Sequence, residues 1–254
     1  MGKRGRLDPQ EYEIMYRVER SHWWYGGMES ITRGLLNRWY RPAQGLRILD
    51  AGCGTGAAMT TYLAEYGQVT GFDLSRIALD FCRLRSAQRL ACASDVALPF
   101  ASESFDLVTS FDVLYERAVS SDSLAIQESR RVLCPGGRLL LRLPAYNWLR
   151  SQHDEAVHTA RRYASEQVAA LLRENGFVVE RLSYANMFLF PLALLKRMTE
   201  WILPKNAASD LSLDAGRVNG VLKTILSAEA PLVARGHLPF GLSVFAVGRK
   251  ESTG

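Results

Sequence analysis

The chain has 254 residues, 48% hydrophobic and 22% charged, a balance that suits an ordinary globular protein with one substantial core. Its 31 lysines and arginines against 26 acids leave a formal charge of +5, too small an excess to call for a nucleic-acid partner. The four cysteines, Cys53, Cys82, Cys92 and Cys134, show no metal-ligand spacing and read as reduced core thiols, and the opening MGKRGRLDPQEYE lacks the apolar stretch of a signal peptide, so a cytoplasmic protein is expected.

Asp8, Pro9 and Glu11 supply an N-cap, a proline for the first helical position and an acid in the first turn, which predicts a helix carrying Tyr12, Met15, Tyr16 and Glu19. The aromatic run from Ser21 to Gly27 is expected as a turn before a second helix, Met28 to Tyr40. From Leu46 onward short apolar strands alternate with helices, the pattern of a sheet covered on both faces. The predicted strands are Leu46 to Asp50, Val69 to Phe72, Leu90 to Ala93, Phe105 to Ser110, Arg138 to Leu143 and Phe177 to Tyr184. Met59, Tyr62, Leu63 and Tyr66 share a helical face after the first strand, and Ser75 caps a helix whose Ile77, Phe81 and Leu84 point one way. Further helices run from Asp122 to Leu133, stopping at Pro135-Gly136-Gly137, and from a Ser165 cap to Asn175-Gly176.

The interval from Ala185 to Pro239 is too long for a connection and is expected to hold two helices, Phe188 to Leu203 and around Val218 to Val233, ahead of a last strand at Leu242 to Val247. One domain follows from this: a helical cap over 1–45, a core over 46–184, a helical insertion over 185–239 that shapes an acceptor site, and a last strand within 240–250. Met187 to Leu203 is the most apolar window, but Lys196, Arg197 and Glu200 interrupt it, and a spanning helix needs about 20 predominantly apolar residues. Internal packing, the wall of an apolar pocket and peripheral contact with a membrane are the readings open to it.

The strongest chemical signal is Leu49-Asp50-Ala51-Gly52-Cys53-Gly54-Thr55-Gly56, a strand that ends in an acid and turns through three glycines into a helix. Glycines are needed where the backbone takes unusual dihedrals and approaches a ligand closely. Taken alone, Gly52, Gly54 and Ala57 also satisfy a dinucleotide fingerprint. Asp73 ends the second strand, where an acid can accept both ribose hydroxyls of either NAD or S-adenosylmethionine, and Asp95-Val96 follows the third strand, within reach of an adenine. Asp50 separates the two: it would sit near the negative pyrophosphate of NAD but near the positive sulfonium or amino group of S-adenosylmethionine.

Residues 46–143 resemble a class I S-adenosylmethionine-dependent methyltransferase, close to the small-molecule subgroup. The segments LRILDAGCGTG, VTGFDLS, ASDVALPFASESFDLVTSFDVLYE and RRVLCPGGRLLL carry the resemblance, in that order and at the family's spacing. It implies an α/β, Rossmann-like seven-stranded sheet of order 3-2-1-4-5-7-6 with strand 7 antiparallel and helices on both faces. It also implies S-adenosylmethionine as cofactor, with Asp50 and the Gly52–Gly56 turn around the methionine part, Asp73 on the ribose, Leu74 on the adenine face, Asp95 and Val96 on the adenine, and Ser110 near the methyl group. The activity implied is methyl transfer to an O, N or C atom of a small molecule, with a lipid-like or isoprenoid-like acceptor as the option that an apolar wall from Met187 to Leu203 would open. The alternatives are a nucleotide-dependent oxidoreductase and a non-catalytic S-adenosylmethionine-binding subunit.

Where many relatives of that family carry a Glu-His pair, this sequence has Tyr115-Glu116. The loop after the fifth strand holds His153, Asp154 and His158, followed by Arg161 and Arg162. A His beside an Asp can act as a general base on an acceptor hydroxyl, so His153 and Asp154 are the candidate catalytic pair. The plainer reading is a polar loop in which Asp154 pairs with Arg161 or Arg162. A metal held by His153, Asp154 and His158 has the ligand types but no further support, and none is expected.

Overall fold

The structure, a computed structural model, describes residues 9–116, 118–150, 160–202 and 216–251. Seven strands form one sheet: β1 (Leu46–Ala51), β2 (Gly67–Asp73), β3 (Leu90–Cys92), β4 (Phe105–Phe111), β5 (Leu133–Pro144), β6 (Phe177–Ala185) and β7 (Ser243–Lys250). Their order is 3-2-1-4-5-7-6, as expected. β1 to β5 pair in parallel, and β7 runs antiparallel between β5 and β6. Ile48, Leu49, Val108, Leu139, Leu140, Leu141 and Phe245 are sealed from solvent, which is why the central strands read as continuous apolar runs. Burying each such large side chain stabilises by about 1.5–3 kcal/mol.

The helices are α1 (Pro9–Val18), α2 (Trp23–Leu36), α3 (Ala57–Thr60), α4 (Arg76–Leu84), α5 (Asp122–Val132), α6 (Ser165–Glu174), α7 (Phe190–Ile202), α8 (Asn219–Ser227) and α9 (Ala230–Arg235). α2 packs with α8 and α9, α4 lies against β2 and β3, and α5 and α6 pack on each other beside β5, β6 and β7. Parallel strands with intervening helices bring the carboxyl ends of β1, β2, β4 and β5 to one edge of the sheet, where such folds bind ligands.

Local chemistry shifts several elements from the sequence expectation. The aromatic run is the first turn of α2: the His22 ring accepts the Trp24 N–H at 3.3 Å, and Asn219 of α8 accepts the Trp23 N–H at 2.8 Å, so two otherwise orphaned donors are capped. α3 stops after one turn because the Thr60 and Thr61 hydroxyls bond the Gly56 and Ala57 carbonyls; Met59, Tyr62, Leu63 and Tyr66 are nonetheless buried. α4 buries Ala78, Leu79 and Cys82 and leaves Ile77 and Leu84 exposed, the reverse of the predicted face. The buried face packs closely on the glycine turn: a Cβ on Gly56 would stand 2.9 Å from the Cys82 sulfur. Phe81 instead stacks on Tyr16 of α1, 4.9 Å between ring centroids.

β5 begins at Leu133 and passes through Pro135-Gly136-Gly137, with a bulge between the pairs Phe105–Leu133 and Leu107–Arg138 absorbing the turn. The N-cap of α6 is Ala164 and not Ser165. The last predicted helix is two, α8 and α9, broken ahead of Pro231, whose ring cannot continue a helix. Glu229 at the break is fully buried and accepts the N–H groups of Asn186 and Phe188 at 2.6 and 2.7 Å. Cys53 and Cys82 are core thiols, but Cys134 is half-buried and Cys92, on the edge strand β3, is exposed.

Candidate active site

Asp50 leaves β1 into a turn whose Gly52, Gly54 and Gly56 have φ of 64°, 53° and 83°, the left-handed region that a Cβ disfavours. A Cβ on Gly52 would also meet Val113 at 2.4 Å. Asp73, at the end of β2, ties this turn to its own: one carboxylate oxygen accepts the Gly54 N–H at 3.1 Å and the other the Ser75 N–H at 2.8 Å. Over the turn opens a cavity of about 1270 Å³. Asp50, Gly52, Gly54, Asp73, Leu74 and Asp95 all line it.

Three expected residues do not reach it. Gly56 is the N-cap of α3 and faces Cys82 of α4. Val96 packs against the core, leaving Ser94 and Asp95 to line the cavity. Ser110 is buried with its hydroxyl unpartnered among the described residues, and strand alternation presents Phe111 to the cavity in its place. His153, Asp154 and His158 lie outside the described residues. Among the described residues no group of His, Cys, Asp and Glu is placed to hold a metal ion. Arg161 pairs with Asp122 at 2.9 Å.

The lining is unusually acidic. Burial pushes Asp50 up to about 7, even though the Thr109 hydroxyl donates to it at 2.8 Å and Arg142 lies nearby. Burial likewise raises Asp73 and Asp95 to about 6, Asp95 with help from the charge of Asp73. Glu116 is raised to about 8 by burial and then by Asp73, Asp95 and Asp112. Such shifts mean that burial disfavours the charged carboxylates here, with neighbouring acids adding to the effect at Asp95 and Glu116.

The other end of the cavity was not legible from the sequence. Asp112 follows β4 in a left-handed conformation, φ 57°, and its Oδ2 accepts from Arg142 Nε at 2.7 Å. The Arg142 guanidinium is buried between the Trp24 ring, 4.8 Å away, and the Phe111 ring, 5.0 Å away. Phe111 and Arg142 are register partners on β4 and β5, so the lone cation in LLLRLP and the acid after SF were the available signals. Tyr25 completes this end, its phenol pushed above its ordinary value by burial. Beyond it, Leu149, Leu189, Leu192, Leu195, Leu222 and Leu242 make an apolar wall. In that wall Asn186 is buried, has φ 61°, and leaves its side-chain oxygen unpartnered among the described residues.

Residues 49–141 match the family described as a methyltransferase domain. The chain is 44% identical over 101 residues to malonyl-[acyl-carrier protein] O-methyltransferase of Erwinia pyrifoliae, covering 39% of this chain and 38% of that one. It is 31% identical over 188 residues to the ubiquinone/menaquinone biosynthesis C-methyltransferase of Paracoccus denitrificans, covering 60% of this chain and 74% of that relative. The chain belongs to the class I S-adenosylmethionine-dependent methyltransferases. The match thus spans well under half of the first relative's length and about three quarters of the second's. In fold the methyltransferase resembles the putative methyltransferase in complex with the Haloferax volcanii Trm112 activator (TM-score 0.61, 18% identity, 97% of this chain and 95% of that one). It also resembles phosphoethanolamine N-methyltransferase 2 of Haemonchus contortus, solved with phosphomonomethylethanolamine and S-adenosylhomocysteine (TM-score 0.62, 20% identity, 98% and 59%).

S-adenosylmethionine is the methyltransferase's cofactor, and the β1–β2 end of the cavity suits it. Gly52 and Gly54 line the space above the turn without side chains, and the acids that line it match a cationic ligand and would repel a pyrophosphate. α1 forms part of the same wall through Tyr12 and Met15, joined by Glu19 just past its end.

Proposed function

We propose that this methyltransferase transfers the methyl group to an O, N or C atom of a small, partly apolar molecule. The observation that carries the reading is one cavity with an acidic end over the glycine turn and a leucine-lined end beyond Arg142. Its relatives' names include methylation of malonyl-[acyl-carrier protein] and a step in quinone biosynthesis, both compatible with that shape. When bound, the cofactor supplies a methyl group on a positively charged sulfur.

On this reading Asp73 accepts the ribose hydroxyls while its backbone partners keep it in place, Asp95 and Leu74 address the adenine, and Asp50 faces the methionine end. Gly52 and Gly54 let that end approach the backbone, and Gly56 shapes the turn from behind. Arg142, Asp112 and Tyr25 hold the polar part of the acceptor, with Asn186 offering an amide from the opposite wall. Holding the reacting atoms in line can contribute about 7–11 kcal/mol, more than the roughly 3–5 kcal/mol of a single acid-base group. His153 with Asp154 remains the candidate base.

Calorimetry tests the assignment. S-adenosylmethionine and its demethylated product bind the wild type and NAD does not; Asp73→Ala weakens cofactor binding by about a hundredfold through loss of charge-assisted hydrogen bonds, whereas His153→Ala spares it. Equal binding by the two variants would show the site misassigned, and binding of NAD alone would remove the methyltransferase chemistry. Incubation with methyl-labelled cofactor and cell extract separates an enzyme from a regulatory subunit, which would leave no labelled acceptor.

A further inference from the structure

α7 is apolar in sequence, FPLALLKRMTEWI, yet none of its described side chains is fully buried. Leu192, Leu195 and Met198, three residues apart in turn and so along one stripe, are 60%, 60% and 48% exposed. A contiguous exposed apolar patch, unlike scattered single side chains, marks a surface that a partner or a lipid covers.

The stripe is continuous with the cavity. Leu192 and Leu195 line the mouth, whereas Met198 does not, nor do the exposed Phe188, Trp148 and Phe240. Trp148 and Phe240 lie against Phe190 in the first turn of α7, at 6.3 and 5.3 Å between ring centroids. A molecule inside the cavity would therefore leave the outer part of this surface wet. Arg197 and Lys223 line the same mouth, and Arg150, two residues after Trp148, is exposed. Exposed leucine and aromatic side chains edged by cations are what a helix lying on an anionic bilayer presents. Pairing of two copies about a two-fold axis would set this face against itself and gather the cations of both copies into one interface, which disfavours self-association.

We infer that the α7 face, from Trp148 and Phe188 to Met198, docks on an anionic lipid bilayer, so that an apolar acceptor enters the cavity past Leu192 and Leu195 without crossing water. The inference rests on the proposed function only for the identity of the acceptor; docking itself is independent of methyl transfer.

Cosedimentation of the full chain with vesicles tests it, using phosphatidylcholine alone and an equimolar mixture of phosphatidylcholine and phosphatidylglycerol. The wild type pellets with the mixed vesicles, less so as salt is raised, and Leu192→Ser/Leu195→Ser/Met198→Ser lowers the vesicle partition coefficient by about tenfold or more. The single variant Met198→Ser, outside the cavity, moves it in the same direction. Wild-type protein that stays in the supernatant with both vesicles, or a triple variant that binds as the wild type does, overturns the inference. So does a wild-type dimer in sedimentation velocity that the triple variant makes monomeric, since the face would then be an interface between copies. Calorimetry with S-adenosylmethionine on the same samples reads the cofactor end separately: unchanged binding with lost vesicle partition supports docking, and absent cofactor binding in the wild type would sink the proposed function while leaving the vesicle result to stand.

Discussion

At the β1–β2 end of the cavity Asp73 is anchored by backbone N–H groups of its own turn and the neighbouring glycine turn, whereas at the β4–β5 end Asp112 and Arg142 hold each other through side chains from different strands. The first end is lined by acids whose protons burial holds more tightly; the second pairs one buried acid with one buried cation between two aromatic rings. On the proposed reading, the end that takes one fixed ligand is built into a turn, while the end that takes the acceptor is assembled from side chains of separate strands. Three measurements can break or sharpen that contrast.

The largest effect is on pH dependence. Asp50 and Glu19 are raised to about 7, Asp73 and Asp95 to about 6 and Glu116 to about 8, burial being the first cause in each. An acid raised in the folded state binds more protons folded than unfolded between its two values, so stability is lost as pH climbs from about 4 to about 8. Moving one carboxyl's pKa tenfold in proton affinity corresponds to about 1.4 kcal/mol, so several kcal/mol are at stake across the five groups. Arg-paired surface acids such as Glu65 and Asp106 are lowered instead and act with the opposite sign, but weakly because they are exposed. The clean readout is therefore the difference made by ligand. The rise in melting temperature on adding S-adenosylmethionine should grow between pH 5 and pH 8, and the growth should be smaller for the product, which lacks the sulfonium charge. Equal stabilisation at both pH values would refute the match between these acids and a cationic ligand.

Next comes the ion pair. Arg142→Ala strands Asp112 in the interior and should cost about 3–5 kcal/mol in chemical denaturation. Arg142→Met/Asp112→Asn removes both charges together, keeps a residue that tolerates the left-handed backbone at 112, and should recover part of that loss. Cofactor affinity should change far less than under Asp73→Ala; a comparable fall would mean that the two ends are one site.

The same contrast decides what could be read in advance. Asp50 to Gly56 is a strand, turn and helix start within a few residues, so local sequence holds both the backbone geometry and the charge. The sheet order follows from the resemblance and from Leu242 to Val247 as a last strand. Arg142 and Asp112 are 30 residues apart and meet only because β4 and β5 are neighbours. Trp24 joins them only because α2 starts earlier than the aromatic run suggests, capped by Asn219, which lies 196 residues from Trp23. The α4 face follows the same rule: counting apolar side chains favours Ile77 and Leu84, but the helix buries Ala78, Leu79 and Cys82, with Cys82 against Gly56 of the glycine turn. Long-range packing, and not residue type, settled each of these.

The smallest effect concerns how α1 is fastened over the cofactor end. Glu19, just past α1, accepts from the Thr55 hydroxyl in the glycine turn and from Arg85 at 2.8 Å. Arg85 in turn donates to the Tyr16 carbonyl at 2.9 Å and lies 4.3 Å over the Tyr16 ring, so α1, α4 and the turn are joined at one point. Thr55→Val keeps the volume and the branch but removes the donor, at about 1 kcal/mol for one hydrogen bond to a charged or neutral carboxyl. Arg85 still holds Glu19, so α1 should stay folded while its amides exchange faster, and cofactor affinity should fall by about fivefold, the equivalent of that one bond. If exchange in α1 is unaltered and affinity still falls, Thr55 acts on the turn alone and α1 is a wall of the cavity and not its clasp.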